Sequence, residues 1–170
     1  MGDPVFELVA VEKRYFDFVA VRGVSLRLNQ GEVLGLVGEN GAGKSTLLNL
    51  MAGITEPSAG EMKLGKDPYR PRSPAEATSA GIALVHQELN LFSNLSIAEN
   101  LFLGDLPTRG SMPFRWIDRG TLRRRAAEAL QMVGLAADPM TLVARLSPGE
   151  RQLVEIAKAL TANPKVLLLD

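Results

Sequence analysis

The spacing of hydrophobic positions changes along the chain and divides it. Residues 5–11 are mostly apolar and β-branched and read as a strand. Val24, Leu26 and Leu28 alternate with Ser25, Arg27 and Asn29, the period of a half-buried strand. Asn29-Gln30-Gly31-Glu32 is turn chemistry. Residues 33–37, Val-Leu-Gly-Leu-Val, form the short apolar run expected of a strand buried on both faces. A helix is predicted from near Lys44 to Gly53, a glycine suited to a helix C-terminus. Pro57-Ser58-Ala59-Gly60 predicts a turn, and residues 61–64 an edge strand.

The second half changes to helical periods. Ser-x-x-Glu, the pattern in which two side chains satisfy the free N–H groups of a helix start, occurs at Ser73/Glu76, Ser96/Glu99 and Ser147/Glu150. Pro74 and Pro148 stand at first helical positions, where a missing N–H costs nothing. Residues 82–86 read as another buried strand. A helix over about 118–133 gathers Leu122, Ala126, Ala129, Leu130 and Val133 on one face and ends at Gly134. That geometry leaves Arg123, Arg124 and Arg125 on a solvated face. Residues 106–114, with Pro107, Gly110 and Pro113, read as a loop. The helix from Pro148 is predicted to bury Leu153, Ile156, Ala157 and Leu160. No internal repeat or low-complexity tract interrupts this order. Strand, glycine loop, helix, then further strands and helices is an α/β arrangement, with an antiparallel layer in front and a helical block at roughly 90–145.

Composition narrows the chemistry. The 170 residues suit one domain or a little more, and 46% hydrophobic with 22% charged residues is globular composition. Nineteen basic residues balance nineteen acidic ones, a poor fit to a protein that coats nucleic acid. Cysteine is absent, which excludes disulfides, thiolate zinc sites and cysteine nucleophiles. His86 is the single histidine, too few for a histidine metal site, and reads as a packed residue at a strand end. No apolar run approaches the roughly 18 residues that cross a bilayer. Met1-Gly2-Asp3-Pro4 has no basic start before an apolar core, so no signal peptide is expected.

Gly38-Glu39-Asn40-Gly41-Ala42-Gly43-Lys44-Ser45-Thr46 fits G-x-x-x-x-G-K-[ST], with an apolar run before it and a predicted helix after it. Glycines let successive backbone N–H groups turn inward on a phosphate, and the helix start adds its positive dipole end. Lys44 would place charge at the β- and γ-phosphates, and the Ser45 hydroxyl would ligate Mg²⁺. Val166-Leu167-Leu168-Leu169-Asp170 reads as a buried parallel strand with a metal-binding carboxylate at its C-terminal edge. A plain glycine turn is the alternative for the first motif, and a strand that merely ends in Asp for the second. The nine-residue match in its context disfavours the first alternative, and the presence of that motif disfavours the second.

With these residues in place, the chain resembles the nucleotide-binding subunit of ATP-binding cassette (ABC) transporters over nearly its whole length. Tyr15 sits where that family places an aromatic that stacks on adenine. Gln87 matches the glutamine that touches Mg²⁺ and the attacking water and senses the membrane partner. Leu146-Ser147-Pro148-Gly149-Glu150 resembles the signature motif, with Pro148 for the usual first Gly and Glu150 for Gln. Ser147 and Gly149 would meet the γ-phosphate held by an opposing subunit, and Glu150 brings negative charge to that place. The wording of residues 85–91, 95–100 and 154–160 is similar to bacterial importers of ribose, galactose and xylose.

The resemblance implies a P-loop NTPase fold of ABC ATPase type, with an antiparallel β subdomain and a helical subdomain. Residues 1–90 and 146–170 would be the core and 91–145 the helical part of one partial domain lacking its C-terminal portion. It implies ATP and Mg²⁺ as cofactors, with Lys44, Gln87 and Asp170 catalytic and Ser45, Gln87 and Asp170 around the metal. Gly38, Asn40, Gly41, Gly43, Lys44, Ser45, Thr46, Tyr15, Ser147 and Gly149 would bind nucleotide. The implied partners are transmembrane permease subunits, a second cassette and, indirectly, a periplasmic sugar-binding protein; nucleic acid is not among them. The implied place is the cytoplasmic side of the inner membrane, peripherally. In the family a glutamate follows Asp170 and polarises the attacking water, so a chain ending there is expected to bind ATP weakly at best and without turnover. A non-transport cassette ATPase acting on ribosomes or DNA shares the motifs and is disfavoured by the neutral charge. Tyr15 and Gln87 also have bland readings, as strand packing and as a loop amide. Phe102, Phe114 and Trp116 flank the helical block either as core or as the lining of a groove for a membrane-subunit helix.

Overall fold

The computed structural model describes residues 4–86, 90–110 and 116–170. They fall into two compact units, Met1–Leu84 with Pro164–Asp170, and Val85–Asn163.

The first unit is built on β1 (Phe6–Tyr15) and β2 (Phe18–Leu28), an antiparallel hairpin. β3 (Ala59–Leu64) and the two-residue β4 (Asp67–Pro68) extend it, giving the order β2-β1-β3-β4. β3 is therefore interior, not the edge its sequence suggested, because β4 folds back along its end. Phe6, Leu8 and Val11 of β1 are buried although their spacing breaks strict alternation. A register shift between Leu8 and Val11 explains this. Ala10 takes φ 48°, and its N–H is held by the Ser25 hydroxyl at 2.9 Å, so one extra residue returns Val11 to the core side. α1 (Lys44–Met51) buries Leu47, Leu48, Leu50 and Met51 against the same core. Tyr69 packs its ring edge-on to Phe6 at 5.5 Å and donates its hydroxyl to the Met51 carbonyl at 2.7 Å. α2 (Pro74–Ala80) precedes β5 (Ile82–Val85), which pairs with β8 (Val166–Leu169) in a separate two-stranded sheet.

Two strand expectations fail here for one reason. Residues 33–37 form no strand, and Val33 and Val37 are 97% and 99% exposed. A strand buried on both faces needs hydrogen-bonding neighbours, and among the described residues no strand pairs with this run. β8 likewise alternates, with Val166 and Leu168 buried and Leu169 exposed, because β5 is its single neighbour among the described residues.

The second unit is helical: α3 (Ile97–Leu101), α4 (Arg119–Met132) and α5 (Pro148–Thr161), with a 3-10 turn at Val143–Arg145. Inside the predicted loop 106–114, Thr108–Arg109 forms β6, which pairs antiparallel with β7 (Trp116–Ile117). Ile97, Leu101, Leu122, Ala126, Leu130, Val143, Val154 and Ala157 make the core. α5 thus presents Val154 and Ala157 inward, whereas Leu153, Ile156 and Leu160 are half-buried, a correction to the expected face. The apolar arc of α5 is wider than one stripe, and the small Ala157 lets α3 and α4 pack close beside Val154. Phe102 belongs to this core and Trp116 is exposed, while Phe114 lies outside the described residues. Arg123 and Arg124 are exposed as expected. Arg125 instead lies over the Phe102 ring at 4.3 Å and pairs with Asp105 at 3.1 Å.

The helix starts follow the sequence with one exception. Full capping boxes close α3 at Ser96/Glu99 and α5 at Ser147/Glu150. At Ser73 only half forms: the hydroxyl accepts from the Glu76 N–H, but the Glu76 carboxylate takes the Arg72 N–H at 2.8 Å. Asp118 caps α4 through the Thr121 N–H. Inside the unit, buried Asn100 accepts from the Phe92 N–H at 2.7 Å and donates to the carbonyls of Phe92 and Ser96.

Two measurements check these packing arguments. Asn100→Ala leaves the Phe92 N–H without a partner and takes one donor each from the Phe92 and Ser96 carbonyls, which keep the Leu95 and Asn100 N–H groups; it is expected to destabilise by about 1–3 kcal/mol, read as a lower urea midpoint. Hydrogen bonds from Ser96, Thr121 and Ser147 hold Glu99, Asp118 and Glu150 below their usual values, Asp118 to about 2. Their contribution is complete above the unfolded values of 4.5 and 3.8 and is lost as pH falls below them. The helical circular dichroism signal is therefore expected to hold from neutral pH to near 4.5 and decline below it.

Candidate phosphate and metal site

The glycine loop is built by backbone constraints. Gly41 and Gly43 lie in the left-handed region at φ 83° and 87°. A Cβ on Gly43 would stand 2.2 Å from the Ala20 carbonyl oxygen of β2, so only glycine lets the loop close over that strand. A Cβ on Gly41 would meet nothing within 4 Å. The Ala42 N–H donates to the Glu39 carbonyl at 3.1 Å, tightening the turn. Asn40 is exposed and Thr46 half-buried at the start of α1.

α1 differs from the other α-helices in its start. α2, α3, α4 and α5 have side-chain caps from Ser73, Ser96, Asp118 and Ser147. α1 has Gly43 at its N-cap and no side-chain cap. The leading N–H groups and the positive dipole end are thus left to an external anion. Lys44 completes the cradle, its ammonium donating to the carbonyls of Gly38 and Glu39, each at 2.8 Å. A charged phosphate oxygen would be a stronger acceptor for this ammonium than either neutral carbonyl.

The next residue reaches across the unit. The Ser45 hydroxyl donates to the Asp170 carboxylate at 2.9 Å, joining the first turn of α1 to the end of β8. A hydroxyl and a carboxylate side by side are hard oxygen donors, the set Mg²⁺ prefers when phosphates and water fill its remaining positions. The described residues contain no cluster of three or more His, Asp or Glu side chains that would form a full protein cage. The residues present therefore fit a shared protein–phosphate metal.

At the hairpin tip, Tyr15 is 44% exposed and lies beneath the Lys13 ammonium, 5.0 Å from the ring centroid. Phe16 and Phe18 beside it are 103% and 63% exposed, and Phe16 takes φ 51° in the turn. Sequence reasoning missed these two aromatics; the signal was the run Tyr-Phe-Asp-Phe, in which one ring alone was singled out.

Gln87 lies outside the described residues. In the helical unit, Ser147 and Gly149 are exposed at the start of α5. The Glu150 carboxylate accepts from the Ser147 N–H at 2.8 Å and from its hydroxyl at 2.7 Å. The first unit thus brings Gly38, Gly43, Lys44, Ser45 and Asp170 to one place, and the second carries Ser147 and Gly149.

Comparison with known proteins agrees with this geometry. The family model described as ABC transporter matches residues 21–170. A ribose import ATP-binding protein of Rubrobacter xylanophilus is 44% identical over 167 residues, covering 98% of this chain and 33% of its own length. The chain thus spans about a third of the length of the curated relatives it matches. A nucleotide-free ATP-binding cassette from an ABC transporter superposes with TM-score 0.82 at 28% identity, over 98% of this chain and 68% of that one. A cassette in a post-hydrolysis state bound to ADP and phosphate superposes with TM-score 0.75 at 29% identity, over 97% and 73%.

The glycine geometry gives a paired expectation. Gly43→Ala should lower nucleotide affinity by at least about tenfold, because both the Ala20 carbonyl and the positive φ oppose a Cβ. Gly41→Ala, opposed by its positive φ alone, should lose less. Equilibrium binding of a fluorescent ATP analogue separates the two.

Proposed function

The chain belongs to the ABC transporter family, and from that premise we propose that it is the front part of the ATP-binding subunit of a sugar importer. The observation that carries this reading is the uncapped start of α1, with Lys44 over the loop and Ser45 bonded to Asp170. Mg-ATP is the ligand that answers all three features. The loop N–H groups and the α1 dipole take the β-phosphate, and the Lys44 ammonium turns from its two carbonyls to the β/γ oxygens. Ser45 and Asp170 would hold Mg²⁺, which when bound would supply charge compensation for the phosphates. Tyr15 stacks on adenine. Gly38, Asn40, Gly41, Gly43 and Thr46 shape the loop, and Gln87 positions water beside the γ-phosphate. Residues 1–90 and 146–170 make the nucleotide-binding core of one partial domain and 91–145 its helical part.

In this reading the cassette pairs head to tail with a second one, with Ser147 and Gly149 facing the nucleotide held by the partner. Transmembrane permease subunits receive the closing motion through the Gln87 region, and a periplasmic sugar-binding protein delivers the solute on the far side. The subunit works peripherally on the cytoplasmic side of the inner membrane, without nucleic acid. The importer names carried by the similar proteins support the sugar assignment. The whole protein hydrolyses ATP, in-line attack by water being aided by charge from Lys44.

Titration with Mg-ATP tests the reading. Lys44→Ala is expected to weaken binding by about a hundredfold or more, since a charge-assisted contact to two phosphates is lost. Tyr15→Ala should cost on the order of tenfold, with Tyr15→Phe near wild type, because the π-face and not the hydroxyl makes the contact. Binding unaffected by Lys44→Ala would place the nucleotide elsewhere.

A further inference from the structure

β3 is covered along only part of its outer edge. In the order β2-β1-β3-β4, β4 pairs with Lys63 and Leu64, and the Tyr69 N–H adds one bond to the Met62 carbonyl at 2.8 Å. Ala59, Gly60 and Glu61 have β1 on one side and no described strand on the other. A strand turns alternate backbone groups to either side, so this run carries donors and acceptors without a sheet partner. At about 3.3 Å per residue the open stretch is roughly 10 Å long.

A cavity of about 330 Å³ lies along this stretch, between it and Pro68, Tyr69 and Arg70. It shares no residue with the glycine loop, Ser45 or Asp170. Its wall is fixed by packing. Met62 is buried, and buried Tyr69 sets its ring edge-on to Phe6 and bonds its hydroxyl to the Met51 carbonyl. The mouth is held as well: the Ser58 hydroxyl accepts from the Arg14 N–H at 3.0 Å, and the Ser58 N–H donates to the Glu12 carbonyl at 2.8 Å. A slot formed in advance needs little ordering when it is filled.

The charge around the slot is uneven. In a chain of zero net charge, residues 63–72 hold Lys63, Lys66, Arg70 and Arg72 against Asp67. Lys63 and Arg70 line the cavity, with the Glu61 carboxylate beside them. Among the described residues the Lys63 ammonium has no hydrogen-bond or ion-pair partner. Arg70 meets the exposed Glu56 carboxylate at 3.5 Å, a loose surface pair that leaves guanidinium donors for a second acceptor. An open strand edge next to two under-paired cations matches an extended chain bearing a carboxylate. Its backbone continues the sheet and its acid meets the cations.

We propose that this slot docks an extended acidic segment of a partner protein, added as a strand beside Ala59–Glu61 with its carboxylate at Lys63 and Arg70. β1 separates β3 from β2, the strand over which the glycine loop closes, so the segment and a nucleotide occupy different sides of the sheet. The proposal stands on the cavity, the open edge and the charge, independently of what the Lys44 loop binds.

The test is fluorescence anisotropy of the 170-residue chain with three labelled eight-residue peptides. One alternates valine and glutamate, the second replaces glutamate by lysine, and the third is the first with alternate amides N-methylated. The acidic peptide is expected to bind, the lysine peptide at least about tenfold more weakly, and the N-methylated peptide likewise, since its missing N–H groups cannot pair with the edge. Lys63→Gln and Arg70→Gln should each weaken the acidic peptide about threefold to fivefold, with melting temperature and Mg-ATP affinity unchanged. No binding of the acidic peptide up to millimolar concentration, or equal binding of all three peptides, would overturn the proposal. So would a dimer of the chain in sedimentation equilibrium that the acidic peptide dissociates, because the edge would then belong to a second copy.

Discussion

The hydrogen bond from Ser45 to Asp170 is the contact on which the candidate site depends. It spans 125 residues of sequence and ties the first turn of α1 to the end of β8 at 2.9 Å. The two residues are far apart in sequence, so neither has functional meaning until the fold brings them together. The order of the first unit follows from that need. β1 and β2 supply the wall against which the Gly43 loop closes, and α1 leaves that loop with its N-terminus uncapped. β8 and β5 then carry the carboxylate to the same place.

Helix starts show how one physical device is used in two ways. Four α-helices satisfy their first N–H groups with their own side chains, and these caps lower the carboxylate pKa values at Glu99, Asp118 and Glu150. Among the described residues, the α-helix without a side-chain cap is the one behind the glycine loop. An unsatisfied helix start costs stability, and here it is retained at the place where a phosphate would repay it. α5 stands between these cases, exposed like a ligand site and internally satisfied like a structural cap.

Much of this was legible in the sequence, for reasons that are local. Ser-x-x-Glu and Pro at the first position marked helix starts within a residue, since capping acts over one turn. The glycine loop was legible because left-handed φ leaves few alternatives to glycine. Long-range pairing was not. Nothing in Val33-Leu34-Gly35-Leu36-Val37 reveals that no described strand pairs with it. Nothing in residues 61–64 reveals that Asp67 and Pro68 fold back beside them. The bulge at Ala10, which restores Val11 to the core, and the choice of Val154 over Leu153 on α5 depend on what packs opposite. The exposed Phe16 and Phe18 escaped notice for a different reason: a motif had already assigned the neighbouring Tyr15 a task.

A double-mutant cycle tests the shared site most directly. The Mg²⁺ dependence of ATP affinity is measured for wild type, Ser45→Ala, Asp170→Asn and the double variant. If both side chains serve one metal, each single change removes most of the Mg²⁺ enhancement and the double change removes little more, a coupling of about 1 kcal/mol or greater. Fully additive losses, or an Mg²⁺ enhancement that survives in Asp170→Asn, would contradict the assignment of Ser45 and Asp170 to a common ion.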